Sequence, residues 1–354
     1  MIYLVRVNLD IEDKRPIKAL RFQAAAETVS GLLKRGYRVV IMSHFGRPTK
    51  PDRKLSLKRF QKPLENKLRQ PVIFFPKFNF AKIRKTIESS KNAKVFLLEN
   101  LRFSSKEEKN DAIFAKQLAS LGDRYMNDDF ATSHRKEASI VAITKFLPSI
   151  PGPTLLNEVH HLKKAAVHPQ KPFTLIIGGA KIEDKIGVVK HLLPKVDYVL
   201  MGGGAANTFL KVRGVNIKSS LMEPDLLATA RRLIKNKKII LPSDYHWQRN
   251  KIMDIGPKTS TLYAALIKKS RTVIWGGPMG YFEDKNFNTG SYKIARAVVA
   301  SKSFSVVGGG ETDSIIIDLG LQKKIGFLSL GGGAMLAFLA HKELPGLKAL
   351  KIRY

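Results

Sequence analysis

The apolar positions of this chain fall into short runs that stop abruptly and hand over to segments with helical spacing. Residues 3–9 alternate and end at Asn8, Asp10 and a charged loop, and the apolar spacing then predicts a helix over 21–33. The unbroken run 37–43 predicts a buried strand that ends at Ser43-His-Phe-Gly-Arg-Pro48, where glycine and proline force a turn. The pattern repeats with a helix over 57–69, strands over 72–75 and 94–99, a helix over 110–121 and a strand at Tyr125 and Met126. Strands alternating with helices predict an α/β fold with parallel sheets covered on both faces, and ligands in such sheets bind beyond the carboxyl ends of the strands.

The segment 147–153, Leu-Pro-Ser-Ile-Pro-Gly-Pro, punctuates the chain, and an amphipathic helix over 154–167 follows, with Leu155, Leu156, Val159 and Leu162 on one side. A domain junction is expected there. Its 354 residues are enough for two cores, since single cores stop growing near roughly 250 to 300 residues. Beyond the junction five apolar runs feed glycine clusters, at Gly178-Gly179, Gly202-Gly-Gly204, Gly276-Gly277, Gly308-Gly-Gly310 and Gly331-Gly-Gly333. Glycine admits positive φ and close backbone approach, so stacked strand-glycine-helix units suit a nucleotide and its phosphates. Close packing of helix on strand explains any single cluster equally well. Five in one domain favour the nucleotide.

The first of these, Gly178-Gly-Ala-Lys-Ile-Glu-Asp-Lys185, reads as a strand passing to a helix N-terminus, an anion-attracting feature, with Lys181 and Lys185 four residues apart on one face. Read alone, the octapeptide is also consistent with a tight turn and two solvated lysines. No GxxxxGK[ST] loop is present, nor the glycine-rich loop of protein kinases with its HRD and DFG companions. In the first half, Arg21, His44, Arg47, Arg102, His134 and Arg135 all fall near predicted strand ends. Like charges gathered in this way cost energy unless an anion neutralises them, which points to a small substrate carrying phosphate and carboxylate. An anion-gripping half and a glycine-looped half suggest phosphoryl transfer, which depends on positioning and charge neutralisation more than on a covalent nucleophile. Glu311, with Thr312 beside it, is the acidic candidate for Mg²⁺, which takes one or two carboxylates together with nucleotide oxygens.

Composition narrows this further. The absence of cysteine excludes disulfides, thiolate metal sites and a cysteine nucleophile. No stretch of 18 or more residues is wholly apolar, and Arg6 and Asp10 interrupt the N-terminus, which predicts a soluble, cytoplasmic protein without membrane partners. The net charge of +33 raises polyanions as partners. Residues 1–150 carry 31 Lys+Arg against 15 Asp+Glu and the remainder 31 against 14, so the excess of +16 and +17 is spread evenly. Even spread argues against specific nucleic-acid recognition and leaves nonspecific polyanion binding.

Eight ordered motifs together resemble the phosphoglycerate kinase family along nearly the whole chain: the 43–48 and 178–185 segments already quoted, Leu98-Glu-Asn-Leu-Arg-Phe103, Asn127-Asp-Asp-Phe-Ala-Thr-Ser-His-Arg135, Asp254-Ile-Gly-Pro-Lys-Thr259, Gly277-Pro-Met-Gly280, Gly308-Gly-Gly-Glu-Thr312 and Lys342-Glu-Leu-Pro-Gly346. The resemblance implies two Rossmann-like domains joined by a hinge helix. Their expected spans are 1–150 for the 3-phosphoglycerate or 1,3-bisphosphoglycerate domain, 151–172 for the hinge, 173–340 for the nucleotide domain and 341–354 for a segment returning to the first domain. It also implies reversible phosphoryl transfer between 1,3-bisphosphoglycerate and ADP in glycolysis and gluconeogenesis, with Mg²⁺, by a monomer. By position, Asn8, Asp10, Arg21, His44, Arg47, Arg102, His134 and Arg135 would serve the acid substrate, while Arg21, Lys181 and Lys185 would be catalytic. Gly179, Lys185, Gly203, Gly204, Glu283, Gly309, Gly310, Glu311 and Thr312 would serve the nucleotide, Glu283 at the ribose.

The sequence also departs from the family pattern. Asn8-Leu9-Asp10 exchanges the family's aspartate and asparagine, Glu311 replaces an aspartate, Gly276 an asparagine, Leu330 a threonine, Ala337 a glutamate and Glu137 a histidine. These changes motivate a second reading, a catalytically impaired relative that binds nucleotides or polyanions.

Overall fold

The computed structural model describes residues 1–11 and 20–354; most of the charged loop expected after Asp10 falls in 12–19, outside the described residues. The chain forms two compact units, Met1–Val159 with Glu343–Tyr354, and His160–Lys342. Each unit is built on a six-stranded sheet that is parallel throughout.

In chain order the first unit contains β1 (Ile2–Arg6), α1 (Leu20–Lys34), β2 (Arg38–Met42), α2 (Gln61–Leu68), β3 (Val72–Phe75), α3 (Phe80–Ser89), β4 (Val95–Leu98), α4 (Ser105–Glu108), α5 (Ala112–Ala119), β5 (Arg124–Asn127) and β6 (Ser149–Pro151), and α6 (Pro153–Ala166) crosses the unit boundary. The strand order β3-β4-β2-β1-β5-β6 puts β1 where the winding reverses. Its side chains alternate between two cores. Tyr3 and Val5 pack with Phe22 and Val29 of α1, and Leu4 packs with Phe114 and Leu118 of α5. Burial on both faces is why the central strands read as continuous apolar runs.

The first strand is shorter than its alternation predicts. Asn8 Oδ1 accepts from Asp10 N at 3.0 Å, an Asx turn that swings the chain off the sheet after Arg6. The helix expected over 57–69 is divided into a 3₁₀ turn, Leu57–Phe60, and α2; Glu99 and Ser56 cap the start of the turn by accepting from Leu57 N and Lys58 N. Elements outside the sequence-based pattern include α3 and β6. The charged run 82–85 belongs to the amphipathic helix α3, which buries Ile83 and Ile87, and β6 forms within the proline-rich punctuation.

The second unit contains β7 (Phe173–Ile177), α7 (Glu183–Leu192), β8 (Tyr198–Met201), α8 (Gly203–Val212), α9 (Leu227–Leu233), β9 (Ile239–Ile240), β10 (Tyr245–Gln248), β11 (Lys251–Ile255), α10 (Pro257–Lys269), β12 (Thr272–Gly276), α11 (Thr289–Ala300), β13 (Phe304–Gly308), α12 (Gly310–Asp318), β14 (Phe327–Ser329) and α13 (Gly333–Leu339). The order β14-β13-β12-β7-β8-β9 places the reversal between β7 and β12. The pair β10–β11 is a separate antiparallel ribbon, so the parallel expectation holds for the sheets and not for this hairpin. Ile177 is in register with Gly276 and Met201, and Gly276 with Gly308, which pairs with Ser329. The five glycine clusters therefore start from one row at the carboxyl edge.

The last helix, α14 (Pro345–Ala349), belongs to the first unit, where Gly346 N donates to Ser133 O at 2.9 Å. Among the described residues, no helix is long and apolar enough to cross a membrane.

Candidate functional site

In the first unit, the connections after β1, β2 and β5 converge at the carboxyl edge on Arg6, a fully buried side chain at the end of β1. Its guanidinium donates to Asp129 Oδ2 (2.9 Å), Val7 O (2.7 Å) and Ser139 Oγ (3.0 Å), and its Nη2 lies 2.9 Å from His44 Nδ1. An arginine only donates, so His44 Nδ1 accepts and its ring proton sits on Nε2, 3.5 Å from Asp10 Oδ2. Burial pushes the His44 pKa down, and Arg6 and Arg102 add to this against the pull of Asp10, which keeps the ring neutral. For Asp10, burial is outweighed by His44 and the Gly46 N–H, which hold its carboxyl well below the usual range.

The exchanged pair is thereby placed. Asp10 accepts from Gly46 N at 2.9 Å and meets His44, while Asn8 donates to Asp129 at 3.1 Å. Arg21 Nη1 donates to Asp10 O (2.9 Å). Arg102 is buried, donating from Nη1 to Gly46 O (2.8 Å) and from Nη2 to Glu137 Oε1 (2.7 Å). Arg135 lies 3.7 Å from the same oxygen, and burial together with Arg102 and Arg47 depresses its pKa, which places these three guanidiniums within one field. Arg47 is exposed, and His134 is half-buried with Nδ1 lacking a hydrogen-bond partner. The sequence-predicted cations are thus gathered on one edge of one unit, with Arg6, Asp129 and Glu137 as their buried framework.

In the second unit the winding reversal carries paired turns. Gly178 N donates to Gly276 O (3.0 Å) and Gly179 N to Pro278 O (2.6 Å), while Thr312 Oγ1 accepts from Gly277 N (2.8 Å) and Trp275 Nε1 donates to Gly277 O (2.8 Å). A Cβ on Gly178 would sit 2.0 Å from Pro278 O, so the close approach requires glycine there. Beside these turns lies a cavity of about 290 Å³, lined among others by Gly179, Gly203, Gly204, Glu283 and Glu311. Gly309 and Gly310 open α12, and Thr312 is buried with its hydroxyl committed to Gly277.

Two expectations about the 178–185 segment are corrected. The N-terminus of α7 is already occupied, because Glu223 Oε2 accepts from Ile182 N (2.5 Å) and Glu183 N (3.1 Å). Lys181 precedes the helix, so it shares no helical face with Lys185; it is exposed, and its carbonyl accepts from Lys185 Nζ at 3.1 Å. Lys185 is the half-buried lysine at the turn. A Cβ on Gly179 would lie 3.2 Å from its Nζ and 3.4 Å from Glu311 Oε2. Burial lowers the Lys185 pKa, against the pull of Glu311, Asp184 and Glu223.

Sequence reasoning did not find Arg6, Asp129 or Glu223, nor the cavity residues Asn207, Leu221, Lys251 and Tyr281. Arg6 lies inside an apolar strand run, where a buried cation carries no local signal. Lys251 belongs to the hairpin that the alternation did not predict.

Two parallel α/β units, one collecting guanidiniums at its carboxyl edge and the other lining up glycine turns, define a phosphate-handling enzyme of the kinase class. The family model for phosphoglycerate kinase matches residues 2–342. The chain belongs to the phosphoglycerate kinase family and is a phosphotransferase. It is 41% identical over 377 residues to the phosphoglycerate kinase of Moorella thermoacetica (98% of this chain, 95% of that protein) and 39% identical over 375 residues to that of Herpetosiphon aurantiacus (98% and 95%). Among solved structures it is similar to phosphoglycerate kinase from Coxiella burnetii (TM-score 0.84, 33% identity) and from Pyrococcus horikoshii (TM-score 0.87, 31% identity), each match covering 99% of this chain and 96% of the other.

Proposed function

We propose that this protein transfers a phosphoryl group reversibly between 1,3-bisphosphoglycerate and ADP, giving 3-phosphoglycerate and ATP, with the acid held by the first unit and the nucleotide by the second. The observation that carries this reading is the gathering of Arg21, Arg102 and Arg135, with His44, around a buried Arg6–Asp129 pair, an arrangement suited to a trianion. Arg21 and Lys181 accompany the moving group, Lys185 and Glu311 meet the nucleotide phosphates, and Glu283 reaches the ribose. Transfer needs the two bound substrates in contact with water excluded, and the guanidiniums offset the charge on the transferring oxygens.

Among the described residues no group of three or more His, Asp or Glu could hold a metal. Glu311 lines the cavity beside the glycine turns, a position suited to Mg²⁺ carried mainly on nucleotide oxygens with Glu311 as its single carboxylate, where the ion would neutralise phosphate charge. We place the protein in the cytoplasm as a monomer. A coupled assay with 3-phosphoglycerate and Mg-ATP tests the reading, with Lys181→Ala as the impaired control. Wild-type protein that binds nucleotide without turnover would overturn it in favour of the impaired relative, a reading that the retained cations and lysines do not favour.

Nonspecific polyanion binding has its own supporting observation. In a parallel sheet every strand starts at one edge, and the segments before β7, β9 and β12 bring exposed Lys171, Lys235, Lys237, Lys268, Lys269 and Arg271 there, with Asp197, before β8, 3.1 Å from Lys171 Nζ and offsetting one of these charges. Titration of a short DNA duplex against salt tests this, with a steep slope expected and no binding near physiological salt as the contrary result.

A further inference from the structure

Glu137 is the anion nearest the predicted substrate cations, and its setting is unusual for a surface-edge carboxylate. It is 3% exposed, and its Oε1 lies 2.7 Å from Arg102 Nη2 and 3.7 Å from Arg135 Nη1. Its second oxygen is 3.8 Å from Arg6 Nη2 and has no hydrogen-bond partner. The backbone around it is fixed, since Glu137 O accepts from Ile140 N and Val141 N, and Ala138 N donates to Glu107 O. The carboxylate is therefore buried among the guanidiniums and shielded from water. Burial favours its protonated form, but Arg6 and Arg102 override this and keep it ionised.

We infer that Glu137 is an internal counter-anion that competes with the substrate phosphate for Arg102 and Arg135, so that it sets how tightly the first unit holds its acid substrate. The inference rests on the proposed function of that cradle. Arg102 has a second anchor in Gly46 O at 2.8 Å, so the guanidinium keeps its place when the carboxylate is neutralised. What changes is the charge that an incoming phosphate meets. A buried charge within a few ångströms of the ligand is poorly screened, whereas Glu108, 4.0 Å from Arg102 Nε but half-exposed, is screened by solvent.

The test is calorimetric titration of wild type, Glu137→Gln and Glu108→Gln with 3-phosphoglycerate, inorganic phosphate and MgADP at fixed ionic strength. Glu137→Gln keeps the side-chain shape and an acceptor for Arg102. Its Kd for 3-phosphoglycerate and for phosphate should fall about tenfold, the scale of one poorly screened charge. The Glu108→Gln change should stay within about twofold, as for other exposed ions, and MgADP binding should not move. In turnover, KM for 3-phosphoglycerate should fall without a rise in kcat, because only ground-state binding is strengthened. Glu137→His, with the residue type the family pattern places here, should shift binding in the same direction. A folded Glu137→Gln protein that binds both anions equally or more weakly overturns the inference, since the carboxylate would then be positioning Arg102. Wild type that binds phosphate but not 3-phosphoglycerate, with the tightening of phosphate retained in Glu137→Gln, sinks the proposed substrate and leaves the counter-anion standing.

Discussion

Replacing Gly179 by alanine adds one methyl group at the point where the nucleotide phosphates are proposed to lie. The backbone there has φ +84°, which costs an L-residue roughly 1–2 kcal/mol. The new Cβ would meet Lys185 Nζ at 3.2 Å, Glu311 Oε2 at 3.4 Å and Gly277 Cα at 3.6 Å. The two closest atoms end flexible side chains, so the clash is relieved by displacing them and the fold survives. At roughly 2–4 °C per kcal/mol for a unit of this size, thermal unfolding should shift by only ~2–8 °C. Binding should suffer more. A displaced Lys185 forfeits a charge-assisted hydrogen bond to phosphate, about 1.5–3 kcal/mol, or roughly 10- to 100-fold in Kd for MgADP. Calorimetry with MgADP and with 3-phosphoglycerate separates the effects, because the proposed acid site lies in the other unit and its affinity should not change. Gly178→Ala is the contrast: its Cβ would stand 2.0 Å from Pro278 O and 2.6 Å from Gly277 O, backbone atoms that cannot move aside, so soluble folded protein is not expected. Wild-type MgADP affinity in Gly179→Ala would refute the assignment of Lys185 and Glu311 to the phosphates.

Three further outcomes concern buried groups. Arg6→Met leaves Asp129 buried without its cation and should cost about 3–5 kcal/mol in urea unfolding; a loss under 1 kcal/mol would show that the pair is dispensable. Burial raises the Glu107 pKa to about 7 from 4.5, an effect that Arg6 partly opposes and Glu137 adds to. The folded state then keeps a proton that the unfolded state loses, so stability should fall as pH rises between about 4.5 and 7, by at most ~3 kcal/mol, and Glu107→Gln should flatten that slope in urea titrations at pH 5 and pH 8. Gly276→Ala should fold normally, because its Cβ would make only ordinary contacts, 3.8 Å from Gly308 O and 3.9 Å from the ends of Leu336 and Met335; a fall in melting temperature beyond about 5 °C, more than ~1 kcal/mol, would contradict this.

The sequence carried the two-unit α/β plan, most strand positions and the residue types at strand ends, because apolar periodicity and glycine turns are local consequences of burial and backbone geometry. Strand β7 lies over 173–177, within the apolar run that enters the first glycine pair. Where the chemistry gathers was settled by tertiary structure. Glu223 reaches the first turn of α7 from 40 residues away, which is why that helix end is closed to an anion despite its sequence. Arg6 and Asp129, 123 positions apart, meet only because β1 and β5 are neighbours in the sheet. Such pairings depend on the order in which strands are laid side by side, and a contact between distant residues leaves no imprint on the local pattern of either.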